Sequence, residues 1–295
     1  MKVIYKVLSL LAITTLGISC TAEFQRTTSL DRGWLFTLEG DGQSQTVNLP
    51  HDWSILGHIS PENAMGDPGG YFPDGKGTYV KTLKLNAEQA GKHITLYFEG
   101  SYLSTEVYVN GTLAGTHAYG YTSSFTDISG LVHEGDNEIS VHVDNSQQLN
   151  CRWYSGSGLY RHVDMIMTDD VHFENWGTQI IADARGHVSI TTEIVNEGDE
   201  DVDVEISATA GQETGKTVRI PAGAREKAEL ELTVASPKLW SPDEPNMYEA
   251  VLTLTASDGS EDRLDETFGF RSIAYNSDEG FLLNGKPLKV WGGCI

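Results

Sequence analysis

The sequence predicts an all-β chain in two domains, and three observations carry the prediction. Glycine, tyrosine, tryptophan and phenylalanine number 31, 12, 6 and 9, while long Ala/Glu/Lys/Leu stretches are few, a balance that suits strands joined by tight turns. Between residues 77 and 144, short Val/Ile/Tyr/Thr runs alternate with turn residues, the period-2 pattern of half-buried antiparallel strands. Around Asp169 the pattern restarts with a different texture. At roughly 100–200 residues per domain, 295 residues with 39% hydrophobic side chains suffice for two cores.

Within the first block the clearest hairpin spans residues 106–116. Val107 and Val109 alternate with Tyr108, Asn110-Gly111 supplies the positive φ angles of a type I′ turn, and Leu113 begins the return strand. Ile139, Val141 and Val143 share one face of a later strand and Ser140 and His142 the other, so His142 reads as a strand-surface residue. The alternation vanishes twice. Residues 49–78 hold Pro50, His51, Asp52 and Trp53 followed by Gly- and Pro-rich sequence, and residues 145–161 hold Arg152, Trp153 and Tyr154 followed by Ser155-Gly156-Ser157-Gly158. Long irregular segments often carry function, and two aromatic ones in one domain suggest a recognition surface.

In the second block, Val188/Ile190/Thr192/Ile194, Val202/Val204/Ile206/Ala208, Leu230/Leu232/Val234 and Tyr248/Ala250/Leu252/Leu254 each occupy alternate strand positions. Turns fall between them at the spacing of a small immunoglobulin-like sandwich over residues 169–275. Asp199-x-Asp201-x-Asp203 has the look of a calcium loop, but Val204 stands where that loop needs Gly, so these acids read as a solvated strand face. From residue 276 a third pattern begins: Phe281, Leu282 and Leu283, an Asn284-Gly285 turn, then Leu288, Val290 and Trp291. A hairpin leading into an apolar strand with nothing to pair leaves an exposed edge, so these side chains are expected to expose apolar surface.

The first 20 residues read as a secretory signal, because Lys2 and Lys6 precede an apolar run over residues 7–18 that ends in small residues and Cys20. That run is short for a membrane span, and no other stretch approaches about 20 apolar residues. Leu16-Gly17-Ile18-Ser19-Cys20 resembles a bacterial lipoprotein cleavage site, at which Cys20 would become the lipidated first residue; simple secretion with cleavage near Ala22 stays open beside it. The expected location is therefore secreted, or a periplasmic or outer-membrane lipoprotein of a bacterium.

A formal charge of −22, from 42 acids against 20 bases, excludes a partner gripped through phosphates, since nucleic-acid binding needs a basic footprint. Three cysteines do not make a disulfide scaffold. No Cys-x-x-Cys or His-Glu-x-x-His occurs and the nine His are scattered, so no metal site is expected. Gly156-x-Gly158 lacks the third glycine and the strand-helix setting of a dinucleotide site, and no cofactor is expected.

Six strings then carry a family resemblance: Asp31-Arg32-Gly33-Trp34, Leu49-Pro50-His51-Asp52-Trp53, Val109-Asn110-Gly111, residues 152–161 from Arg152-Trp153-Tyr154 through Leu159-Tyr160-Arg161, Leu239-Trp240-Ser241-Pro242, and Phe268-Gly269-Phe270-Arg271. In this order the chain resembles glycoside hydrolase family 2, most closely its β-galactosidase-type members. The resemblance implies a jelly-roll sugar-binding domain over residues 21–168, an immunoglobulin-like β-sandwich over 169–275, and the start of a (β/α)₈ barrel over 276–295. In that family the barrel carries both catalytic glutamates, and a barrel needs roughly 250 residues, so the catalytic domain is expected to be missing from this chain.

No residue here is therefore assigned a catalytic role. Retaining glycosidases need a nucleophile and an acid/base about 5–5.5 Å apart; Asn196-Glu197 and Asn137-Glu138 share the family's Asn-Glu order but sit in turn sequence. What remains is recognition of carbohydrate, a β-galactoside-like oligosaccharide. Trp153 and Tyr154 can stack on the C–H face of a sugar while Arg152 and Asp52 hydrogen-bond its hydroxyls; Trp53 reads as packing. The leading expectation is the non-catalytic part of a secreted β-glycosidase, with a free-standing carbohydrate-binding module and a structural surface protein as alternatives.

Overall fold

A computed structural model describes residues 25–293; the signal segment and Cys20 lie outside the described residues. Two antiparallel sheets form the first sandwich. One runs Ser44–Val47, Trp34–Leu38, Lys76–Leu85, Gly135–Asp144, Ser104–Val109, Thr112–His117 in spatial order, and the other Thr27–Ser29, Val163–Thr168, His93–Phe98, Ser124–Asp127. The alternation sorts the side chains: Ile139, Val141 and Val143 turn inward at no more than 1% exposure, while His142 faces out against Ser140 and the Tyr108 ring. Asn110 and Gly111 take φ of 50° and 79°, the turn the sequence predicts, although the return strand starts at Thr112 rather than Leu113.

The second sandwich pairs His187–Asn196 with Arg225–Thr233 on one side and with Val171–Phe173 and Gln179–Ala182 on the other. Its facing sheet runs Glu213–Ile220, Val202–Thr209, Tyr248–Ala256, Glu261–Phe268. Val188, Ile190, Val204, Ile206, Ala250 and Leu252 are fully buried between them. The acidic positions lie outside: Asp201 accepts from Ala222 N at 3.1 Å and pairs with Arg219.

Charge and ring contacts join the sandwiches. Arg26, beside the first strand, pairs with the buried Asp262 of the second domain and donates to Phe173 O at 2.8 Å; Asp262 also accepts from Phe173 N. His93 stacks on His172 at 5.3 Å. Burial lowers the pKa of His172 to about 4 because desolvation disfavours the imidazolium.

The tail departs from the expectation of an exposed apolar hairpin. Its sheet already begins with Ile273–Asn276, which pairs with Gly280–Leu283, and Leu282 and Leu283 are buried. Asn284 fixes it: its N–H donates to Ser272 O, its Oδ1 accepts from Ser272 N, and its Nδ2 donates to Trp240 O. Val290 and Trp291 do remain exposed, at 71% and 80%.

Candidate functional site

The two irregular loops of the first sandwich meet, and Asp52 joins them. It caps the short helix Trp53–Leu56, accepting from Ser54 N at 2.9 Å and Ile55 N at 3.4 Å, as an N-cap carboxylate should. The same Oδ1 takes Ser157 N at 3.0 Å from the second loop, and Oδ2 takes the Tyr154 hydroxyl. Asp52 is thus committed to holding the loops together, and its reach toward a ligand runs through Tyr154. Burial, followed by the hydrogen bond to Asp52 and its charge, holds the Tyr154 hydroxyl above the usual phenol range, so it stays neutral, with its proton given to Asp52.

Beneath this junction lies a buried polar brace. Asn145 Nδ2 donates to Ser157 Oγ at 2.7 Å and Gly156 O at 3.1 Å, and its Oδ1 accepts from Gln148 and Asn150. Ser157 Oγ lies 2.6 Å from Ser54 Oγ, which in turn donates to Pro73 O. Gly158 exchanges backbone hydrogen bonds with Tyr102 and has φ of +103°; a Cβ there would come within 2.3 Å of the Tyr79 hydroxyl. Only glycine fits such a position. Tyr79 in turn bonds His51 Nδ1 at 2.8 Å, and burial lowers the pKa of His51 despite the Asp52 charge, keeping this part of the core neutral.

On top of the brace sits an aromatic platform. Trp153 is 57% exposed and its indole N–H donates to the Tyr121 hydroxyl at 2.8 Å. Tyr121 meets Tyr119 at 5.7 Å and Tyr102 at 5.2 Å between ring centres, while Tyr154 packs on Phe72 at 4.5 Å. Arg152 is exposed beside them, with no hydrogen bond or ion pair among the described residues. Asp52, Tyr154, Trp153 and Arg152 are therefore brought to one place, the last two pointing outward. Trp53 is core, stacked on Phe36 at 5.6 Å.

Tyr102, Tyr119, Tyr121 and Phe72 escaped the sequence reading; the signal that could have found them is the Tyr-Gly-Tyr string at 119–121. Such an arrangement offers ring faces, a guanidinium donor and phenolic oxygens on a rigid base, the combination that orients a polyhydroxylated ligand. The two Asn-Glu pairs are elsewhere. Both Asn are buried; Asn137 bonds His133 O of its own turn, and Asn196 bonds Glu200 O of its own turn and Ile220 O of a neighbouring strand end, which makes them turn braces. Among the described residues no group of three or more His, Cys, Asp or Glu side chains could hold a metal ion.

Comparison with known proteins bears on the same residues. The family description "Glycosyl hydrolases family 2, sugar binding domain" matches residues 17–172, and "Glycosyl hydrolases family 2" matches residues 171–271. A β-galactosidase of Bacteroides ovatus is 34% identical over 267 residues, covering 86% of this chain and 31% of that protein. A putative β-glucuronidase of Formosa agariphila is 33% identical, covering 96% of this chain and 29% of that protein. The crystal structure of a glycosyl hydrolase family 2 member from Bacteroides cellulosilyticus superposes with a TM-score of 0.82 at 33% identity, covering 92% of this chain and 38% of that one. The chain thus spans about a third of the length of these relatives. With two family-specific domains matched in order, this chain belongs to glycosyl hydrolase family 2.

Proposed function

We propose that these residues form the sugar-recognition and spacer domains of a secreted β-galactosidase-type enzyme, with the catalytic carboxylates on a barrel outside them. The observation that supports this most is the braced platform of Trp153, Tyr154 and Tyr121 within the region matched as a sugar-binding domain. Arg152 supplies hydrogen-bond donors; the Tyr154 hydroxyl, whose proton goes to Asp52, supplies an acceptor oxygen; Trp153 and Tyr121 supply the stacking faces, and Asp52 the anchor that sets Tyr154. The platform is one wall of a site that the barrel completes. Export by the N-terminal signal, with or without a lipid on Cys20, belongs to the same reading.

Calorimetric titration of the chain with galactose, lactose and longer galactosides tests it. One wall of a pocket forfeits much of the contact area a closed site provides, so binding at the platform should be millimolar or weaker, about −4 kcal/mol, and lost in Trp153→Ala. Submillimolar binding abolished by Trp153→Ala would instead make the platform a self-sufficient carbohydrate-binding module. Chromogenic β-galactosides and β-glucuronides should not be turned over by the chain alone; hydrolysis abolished by Glu197→Gln or Glu138→Gln would overturn the reading.

A further inference from the structure

A second aromatic surface lies where the two sandwiches meet, in a cleft of about 740 Å³, within the usual range of ligand sites. One wall is the outer face of the four-stranded sheet of the first domain. Cross-strand partners share a face, and the register places Asp164 opposite Tyr97 and Tyr97 opposite Phe125, one continuous row pointing away from the core. Their neighbours Leu96, Phe98 and Val163 turn inward and are buried.

Tyr97 and Phe125 stack at 4.8 Å and 25°. Trp176, from the turn after the first strand of the second domain, stands perpendicular to both, at 5.5 Å and 5.1 Å, while remaining 71% exposed. Its φ of +59° is costly for a bulky residue, and the strain supplies no core packing in return. Glu266 of the second domain lines the facing wall.

We propose that this cleft is a second carbohydrate-binding site, which takes a neutral oligosaccharide laid along the row formed by Asp164, Tyr97 and Phe125 and gripped at one end by Trp176. Flat ring faces match the C–H faces of pyranoses, and the carboxyl groups between them match hydroxyls. Burial raises the pKa of both Asp164 and Glu266, and their oxygens accept hydrogen bonds from sugar hydroxyls. Arg26 is committed to Asp262, and Arg263 pairs with Asp265, so the cleft presents no surplus positive charge and disfavours uronates and sulfated glycans. The site draws on both domains and on none of the loop residues of the platform, so it stands independently of the proposed function.

Resonances of the indole N–H groups separate the two sites, because Trp176 and Trp153 each report their own. Titration of the chain with β-1,4-galactotetraose should shift the Trp176 resonance saturably. The shift should persist in Trp153→Ala, and the affinity should fall about tenfold or more in Phe125→Ser and in Glu266→Gln. Trp176→Ala, which alters an exposed side chain, should abolish calorimetric binding in the Trp153→Ala background without unfolding the protein. A Trp176 resonance unmoved by the sugar, a shift indifferent to Phe125→Ser and Glu266→Gln, or equal response to an anionic heparin tetrasaccharide or a cationic glucosamine tetramer would overturn the proposal.

Discussion

Asn145 and Asn196 are the same device used at two scales. Each is buried at the end of a ten-residue strand, Gly135–Asp144 and His187–Asn196, and each spends its amide on bracing the connections beside it. Asn196 holds a short acidic turn through Glu200 O and Gly198 N and ties it to the connection after Glu213–Ile220 through Pro221 O. Asn145 braces a much longer segment, holding Gly156, Ser157, Gln148 and Asn150. A buried amide with its partners satisfied fixes one backbone path; over a short turn that path ends a strand, and over a long loop it presents Arg152 and Trp153 outward in a set arrangement. The contrast teaches that the first sandwich differs from the second less in its core than in how much loop its polar braces hold.

The largest expected effect falls on the seam between the two regions. Arg26→Met should cost about 3–5 kcal/mol near neutral pH, because it leaves Asp262 buried without its cation. Burial already raises the pKa of Asp262, opposed chiefly by Arg26. A carboxyl with a raised folded-state pKa favours the native state at low pH and loses that contribution as pH rises through it. The deficit should therefore be smaller at pH 5 than at pH 8 by urea denaturation. A pH-independent deficit would mean that Asp262 is not the group left stranded.

Glycine positions sharpen the contrast between long and short connections. Gly158→Ala should cost about 3 kcal/mol, from positive φ and the collision with Tyr79 together. Gly259→Ala in the second sandwich, at φ of +95° with nothing within 4 Å of its Cβ, should cost only about 1–2 kcal/mol. Equal losses in thermal unfolding would show that the crowding under the platform is absent in solution.

A pH scan probes His172, which touches both sandwiches. Its folded pKa of about 4 lies below the ordinary 6.5, so the unfolded chain binds its proton first and stability falls as pH drops from 6.5 toward 4. At up to 1.36 kcal/mol per pH unit the loss reaches about 2–3 kcal/mol. His172→Phe should flatten that part of the profile relative to the parent; an unchanged slope would assign it to other groups.

Particular residues show what sequence could carry. The Asn110-Gly111 turn and the inward set Ile139, Val141 and Val143 were legible because turn chemistry and strand period are local. Asp52 and Tyr154 were legible as members of aromatic loops, but not as partners, since their bond closes over 102 residues. Tyr121 was missed because its tie to Trp153 is tertiary, and Arg26–Asp262 because 236 residues separate them. Leu282 and Leu283 looked exposed because nothing local reveals that Asn284 reaches Trp240.

Deleting each brace in turn tests the comparison at its centre. Asn145→Ala and Asn196→Ala should each cost about 2 kcal/mol, since buried partners are left unpaired, but only Asn145→Ala should also weaken galactoside binding. Loss of binding in both would mean that the platform depends on global stability rather than on its own brace.

The smallest effect on stability is the most informative for function. Trp153 is 57% exposed and makes one side-chain hydrogen bond, to Tyr121, which water can replace on both partners. Trp153→Ala should therefore change stability by no more than about 0.5 kcal/mol, in contrast to Gly158 a few residues away. Trp153→Phe, which keeps a ring and drops the N–H, separates the two ways the side chain could serve. Stacking alone predicts that Phe retains most of the galactoside affinity. A hydrogen bond that aims the Tyr121 hydroxyl predicts that Phe behaves like Ala. If Trp153→Ala instead unfolds the loop, seen as new protease cleavage within residues 145–161, Trp153 belongs to the brace, and the outward surface reduces to Arg152 and the tyrosines.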